Sequence, residues 1–462
     1  MRKKRLAAAT LSLIVICAVP VAQLQAFCGF YVAKADAQLF NKASKVVIAH
    51  DGDKNVVTMA SDYQGDPQEF AVVIPVPTVI TKQQVHITEN ALVDHLDAYT
   101  APRLVEYFDE DPCAPRREYA LPMAGMALST KSVGAAKQSA DSLGVKIEAQ
   151  YTVGEYDILI LSATQSTGLL TWLNQEGYKI PAGAADVLGS YIKQGMKFFV
   201  AKVNLKEQEK LGFHFLRPIQ VAYESSKFML PIRLGTVNAR SPQELFVFTL
   251  SPKGRIETTN YRTVKIPSGV DVPLYTKRDF GPFYRAMFDT QVGKESMRTV
   301  FLEYSWNLGF CDPCSADPIA NDKLIELGAY WLVPASPSSG VTGPRRYNPN
   351  APQSATYVTR LHIRYDREHF PEDLMLQETT NRENFQGRYV MHHPWTGEAN
   401  CPAGDSYVNS LPQRFSREAE NLAALTGWEL ATIHRNMEET GQSFDPAKVM
   451  QAPKWYEQLW SQ

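Results

Sequence analysis

The 462-residue sequence predicts an α+β fold, with β-rich mixed domains, a strand–helix–helix–strand insertion and a helical C-terminus. Three observations predict it. Short β-branched and aromatic runs recur between Pro, Gly and Asp turn residues, in a chain with 29 prolines and 11% aromatics. Residues 156–203 alternate strand and helix patterns, and residues 416–437 carry a helical apolar period. With 44% apolar and 21% charged residues, a disordered or fibrous chain is excluded. A formal charge of -2 argues against a dedicated nucleic-acid binder, which would show a strongly basic stripe.

The first element is a leader. Arg2-Lys3-Lys4-Arg5 precede the apolar run Leu6–Ala22, and Gln23-Leu24-Gln25-Ala26 closes it with a small residue. This is the order of a secretory signal over residues 1–26, with cleavage leaving Phe27 first. The run is 17 residues with Pro20 near its end, at the short limit of about 17–25 for a spanning helix. No later stretch is long and apolar enough to read as a transmembrane span. The sequence thus predicts an exported chain, periplasmic or extracellular, with a mature charge of -6.

Lys45–Ala49 and Val56–Ala60 flank Asp51-Gly52 and read as a hairpin. The same string lacks the glycine and glutamate of a calcium loop, at Val56 and Asp62. A strand from Glu69 to Ile74 should end, or lie at an edge, at Pro75-Val76-Pro77. Thr88 is placed as the cap of a helix through Leu92, His95 and Leu96, and Thr100-Ala101-Pro102 as the start of a short helix through Phe108. His95 lies at helical spacing with Ala91 and Leu92 and reads as a buried or boundary histidine rather than a ligand.

Residues 120–145 read as a loop or ragged helix. Tyr156–Leu161 is a strand, helices follow from Ser166 to Glu176 and from Pro181 to Gly195, and Met196–Val203 is a strand. Phe70–Val76 resembles Phe228–Ile232, which raises a duplicated β-unit, though no fixed period supports one. Strands flank Ser251–Gly254, another runs from Thr299 to Trp306, and residues 334–356 form a Pro/Ser/Gly/Asn loop. Tyr357–Asp366 alternates, with Tyr357, Thr359, Leu361, Ile363 and Tyr365 opposite Val358, Arg360, His362 and Arg364. Domains are divided at 27–205, 206–298 and 299–462, the last holding the CxxC pair and the terminal helix, broken at Gly427.

The mature chain keeps Cys28, Cys113, Cys311, Cys314 and Cys401 as disulfide or redox candidates. Cys311-Asp312-Pro313-Cys314 has the spacing of a redox pair, but Asp312 and Asp317 disfavour a thiolate, so structural bridging is the preferred reading. Zinc would need a second pair of like spacing, and His392-His393 would point to opposite strand faces, so no metal or cofactor is expected. No GxSxG or phosphate-binding loop occurs. Arg360, His362 and Arg364 form a basic strand face able to hold an anion or to lie solvated. With Arg388, His392, His393 and Trp395 they make up a candidate binding surface.

Phe27–Val32, Phe70–Pro77, Cys311–Cys314, Asn321–Trp331, Leu361–Asp366 and Asn384–Gly397 together resemble domain of unknown function 2330, found in exported bacterial proteins. The resemblance spans nearly the whole mature chain and implies export, with Cys28 near the start of the folded part. It carries no catalytic residues. The leading function is therefore a non-catalytic envelope module binding a ligand or another protein. The rivals are a thiol–disulfide protein using Cys311 and Cys314, and a hydrolase whose site is dispersed in sequence.

Overall fold

A computed structural model of the chain describes residues 30–33, 40–64, 70–114, 145–175, 183–204, 206–207, 210, 216–237, 239, 241–309, 316–332 and 356–445. The leader, Cys28, Cys311 and Cys314, and most of the 120–145 and 334–356 segments lie outside these residues. The fold is α+β as expected. Two large sheets stack face to face, and helices cover their outer faces.

The smaller of the two has five strands in the order β1 (Phe30–Ala33), β4 (Phe70–Val76), β9 (Lys197–Val203), β8 (Tyr156–Ala163) and β7 (Val145–Val153). The larger runs β14 (Arg262–Lys265), β16 (Thr299–Asn307), β17 (Tyr357–Tyr365), β12 (Gln243–Ser251), β2 (Phe40–Asp51), β3 (Lys54–Gln64), β10 (Ile219–Glu224) and β5 (Val85–Ile87), with β19 (Phe385–Gln386) beside β16. It takes strands from each of the segments 27–205, 206–298 and 299–462. Between the sheets lies the main core: Val46, Ile48, Leu245, Val247, Leu361 and Ile363 meet Ile74, Ile158, Ile160 and Phe199. Period-two alternation puts these apolar residues on one face, because successive side chains of a strand point oppositely.

The outer face of the five-stranded sheet carries α2 (Ser166–Gln175) and α3 (Ala184–Lys193) through Leu169, Leu173, Leu188 and Tyr191. The outer face of the larger sheet carries α1 (Asn90–Thr100) and α6 (Asn321–Glu326), which bury Leu92, Leu96, Tyr99 and Leu324 on Val47, Phe248 and Val358. Farther along that face lie α5 (Phe280–Lys294), α7 (Pro402–Thr426) and α8 (Leu430–Glu439). They also cover a small parallel sheet of β15 (Val270–Asp271), β20 (Arg388–His393) and β6 (Arg103–Phe108). The last small sheet joins β11 (Met229–Leu230), β18 (Leu374–Glu378) and β13 (Ile256–Thr258). The remaining α4 spans Arg233–Val237.

The Asp-Gly hairpin forms as expected, turning at Gly52 with φ +62°. The strand expected from Glu69 runs Phe70–Val76 and ends within Pro75-Val76-Pro77, as expected. Pro75 pairs with Phe198 of β9, whereas β1 reaches only Phe70–Val73, so at Pro75 the strand has one neighbour and lies at an edge. Residues 103–108 are strand, not helix: Arg103–Phe108 pair in parallel with Arg388–His393. The terminal helix begins at Pro402 rather than Ser416. Pro412 lies inside it and hid the first turns from periodicity, because proline lacks the N–H that a helix interior uses. It ends at Gly427 with φ +72°, as the sequence indicates. The look-alike stretches at Phe70 and Phe228 fall in different sheets with different partners, so their likeness is one of local composition.

Candidate functional site

The seven residues of the candidate surface separate into two places. Arg360, His362 and Arg364 project from β17 toward α1 and α5, and every one meets carboxylates. Arg360 Nε lies 2.5 Å from Glu303 Oε2, and its Nη1 meets Asp97 on α1. The guanidinium also stacks between Phe246 and Phe248, 4.8 and 5.2 Å from the ring centres. His362 bridges Glu303 and Glu244, 2.8 Å to each, with its ring between Phe246 and Phe288. Arg364 pairs with Glu244 and Asp289. The Tyr284 hydroxyl donates to Glu303 as well.

Electrostatics follow from this packing. Burial alone would push the Glu303 carboxyl up, but the charges of His362 and Arg360 bring it down to about 2. Burial would neutralise His362, yet the charge of Glu303 and the hydrogen bond to Glu244 outweigh it and hold the imidazole protonated more firmly than usual. Glu303 is fully buried, with Arg360 and His362 at 5% and 4% exposure, so these two are neither solvated nor open to an outside anion, while Arg364 is half-buried at the network's edge. It is an internally neutralised network that fastens β16, β17 and β12 to two helices.

Arg388, His392 and His393 lie on the small parallel sheet, and Trp395 follows just beyond it. Because β6 and β20 run the same way, their C-terminal ends coincide, and Tyr107 and Phe108 stand beside His392 and His393. Alternation divides the pairs between the two faces of the sheet. On one, His393 stacks on Phe108 with ring centres 4.3 Å apart, and its Nε2 lies 2.8 Å from Glu106, which also holds Lys277 at 2.7 Å. Hydrogen bonds from Lys277 and His393 keep the Glu106 carboxyl below its ordinary range. On the other face, His392 stacks on Tyr107 at 5.6 Å and pairs with Asp271 at 3.3 Å. Phe108 is 71% and Tyr107 50% exposed, the two most exposed large hydrophobic side chains among the described residues. Arg388 lies at the opposite end of β20, across from Arg103.

The chain beyond this ledge is fastened tightly. Asp109 extends the strand pairing by donating its N–H to His393 O at 2.9 Å. Its carboxylate accepts from Tyr407 at 2.5 Å and Arg414 at 2.6 Å, both on α7. Trp395 donates its backbone N–H to the Tyr407 hydroxyl and packs over Gly397, where a Cβ would come within 2.5 Å of the indole. Cys113 and Cys401 are joined by a disulfide, with Cα atoms 6.1 Å apart, so the exits of β6 and β20 are tied at the start of α7. Of the five candidate cysteines this pair is described; Cys28, Cys311 and Cys314 are not.

Sequence reasoning finds His392, His393 and Trp395 but misses Tyr107, Phe108 and Glu106, because Thr100-Ala101-Pro102 reads as a helix start, and it misses Lys277, which reaches Glu106 from a distant segment. The signal is present: Val105, Tyr107 and Phe108 are strand formers following Pro102. Among the described residues no group of three His, Cys, Asp or Glu side chains is arranged to hold a metal ion, and no helix is long and apolar enough to cross a membrane.

The chain belongs to the family DUF2330, described as an uncharacterized protein conserved in bacteria, whose model matches residues 22–377. β6 and Cys113 fall inside the matched segment; β20, α7 and Cys401 follow it. No curated protein and no solved structure matches the chain.

Proposed function

We propose that the protein is an exported, non-catalytic module of the cell envelope that binds another molecule at the Tyr107–Phe108 ledge. One observation carries the reading: Phe108 and Tyr107 stand exposed at 71% and 50% on the two faces of one strand end, each backed by a histidine. Exposed aromatics on a fixed scaffold offer large apolar area at low conformational cost, the usual makeup of a binding anchor. The surrounding Glu106, Lys277, His392 and Asp271 supply a polar rim. Export is supported by the basic, apolar and small-residue order of residues 1–26, and a disulfide suits an oxidising compartment. The other cluster of candidate residues supports no catalysis, because its groups are consumed by one another.

Site-specific photo-crosslinking tests the reading. A benzophenone side chain replacing Phe108 should give a discrete adduct in intact cells, recovered from the envelope or the medium. The same probe at Ile147, exposed on β7, should not. No adduct at position 108, or a chain retained in the cytoplasm, would refute the proposal.

A further inference from the structure

The Cys113–Cys401 bond has an asymmetry that the binding role does not use. Cys113 is exposed in the turn after β6, whereas Cys401 is half-buried at the N-cap of the 25-residue helix α7. The Cys401 Sγ accepts the Gly404 N–H at 3.2 Å. On the other side, the Cys113 N–H donates to Asp111 Oδ1 at 2.8 Å, which places a carboxylate beside that cysteine. Negative charge developing on Cys401 is met by an N–H and by the positive end of a long helix. The same charge on Cys113 is opposed by Asp111. Asp405, in the first turn of α7, also stands near Cys401; solvent screens both carboxylates, and of the two it is Asp111 that accepts a hydrogen bond from the cysteine beside it.

We propose that this disulfide is a thiol–disulfide exchange site of fixed polarity, at which an external thiolate attacks Cys113 and Cys401 departs. The incoming sulfur forms a bond to Cys113 Sγ as the Cys113–Cys401 bond breaks, and Cys401 leaves as the thiolate. A second thiolate attacks the external sulfur of the mixed disulfide and releases Cys113. Two external thiols are oxidised to one disulfide, and their two protons end on Cys113 and Cys401. The leaving sulfur governs such rates, and the better-stabilised thiolate leaves faster. Reduction does not detach the strand exits, because Asp109 remains bonded to His393, Tyr407 and Arg414. The site is therefore a reversible device rather than an indispensable staple. The inference goes beyond the ledge's binding role and stands without it.

Glutathione provides the probe. The native, full-length oxidised chain is mixed with reduced glutathione, quenched in acid at early times and peptide-mapped by mass, which separates these cysteines from Cys28, Cys311 and Cys314. The adduct should appear on the Cys113 peptide in several-fold excess over the Cys401 peptide, and Asp111→Asn should narrow that excess. The fully reduced chain should keep a cooperative melt. Equal adducts, an excess on Cys401, or no adduct until denaturant is added would overturn the polarity. Unfolding on reduction would overturn the reversible role.

Discussion

Glu303→Gln probes the network that buries Arg360 and His362. The substitution keeps the shape of the side chain but takes away the charge that Arg360, His362 and Tyr284 share. It also turns an NH2 group toward donors, so at least one buried hydrogen bond is lost. Moving the carboxyl from its ordinary 4.5 to about 2 corresponds to roughly 3 kcal/mol of preference for the charged form in the folded state. Breaking a buried ion pair by removing one partner costs about 3–5 kcal/mol on general grounds, which agrees. The sign is set by the depressed value: this stability is fully present above pH 4.5 and lost as pH falls through 2. Urea denaturation of the full chain should therefore show Glu303→Gln less stable by about 3 kcal/mol at pH 7. The difference should have shrunk by about half at pH 3 and further at pH 2. A cost below about 1 kcal/mol at pH 7, or one independent of pH, would refute the ionised network.

Three further outcomes are expected. The His362 imidazole should lose its proton at higher pH than a free histidine, read from its 15N shifts across a pH titration; its raised affinity contributes stability present below its unfolded value of about 6.5 and lost as pH rises through the folded one. A ring that titrates below the free-histidine value would contradict this. Burial pushes the Glu418 carboxyl up to about 7, although Gln442 and Arg414 pull the other way, so its stabilising effect is present below 4.5 and lost as pH rises through 7. Glu418→Gln should then raise stability by about 1–3 kcal/mol at pH 8, less at pH 5, and a loss at pH 8 would count against it. N-terminal sequencing of exported protein should begin at Phe27, and an intact Met1 would rule out cleavage of the leader.

The sequence made the framework readable where pattern and environment agree. The Asp-Gly hairpin, the strand from Tyr357 to Tyr365 and the stop at Gly427 follow from local chemistry that tertiary contacts reinforce. The opposite holds for residues 103–108, a parallel strand whose partner lies 285 positions away, so no local signal records the pairing. Arg360, His362 and Arg364 were visible as one face, but their meaning depended on Glu303, Glu244, Asp97 and Asp289, which come from three other elements and an exposed helix flank. Strand alternation shows which residues share a face; it does not show what is packed against it. The pairing of Cys113 with Cys401 was equally closed to spacing arguments, since a separation of 288 residues is bridged by strand ends that meet in space.

Hydroxyl-radical footprinting, comparing the purified chain with the chain in intact cells, addresses the ledge most directly. Phe108, Tyr107 and Ile147 are all exposed enough to be oxidised in the purified protein. If Tyr107 and Phe108 are the binding anchor, their oxidation should fall several-fold in cells while that of Ile147 stays the same. Equal oxidation of Phe108 in the two settings, with Ile147 unchanged, would contradict the assignment of this ledge as the binding surface.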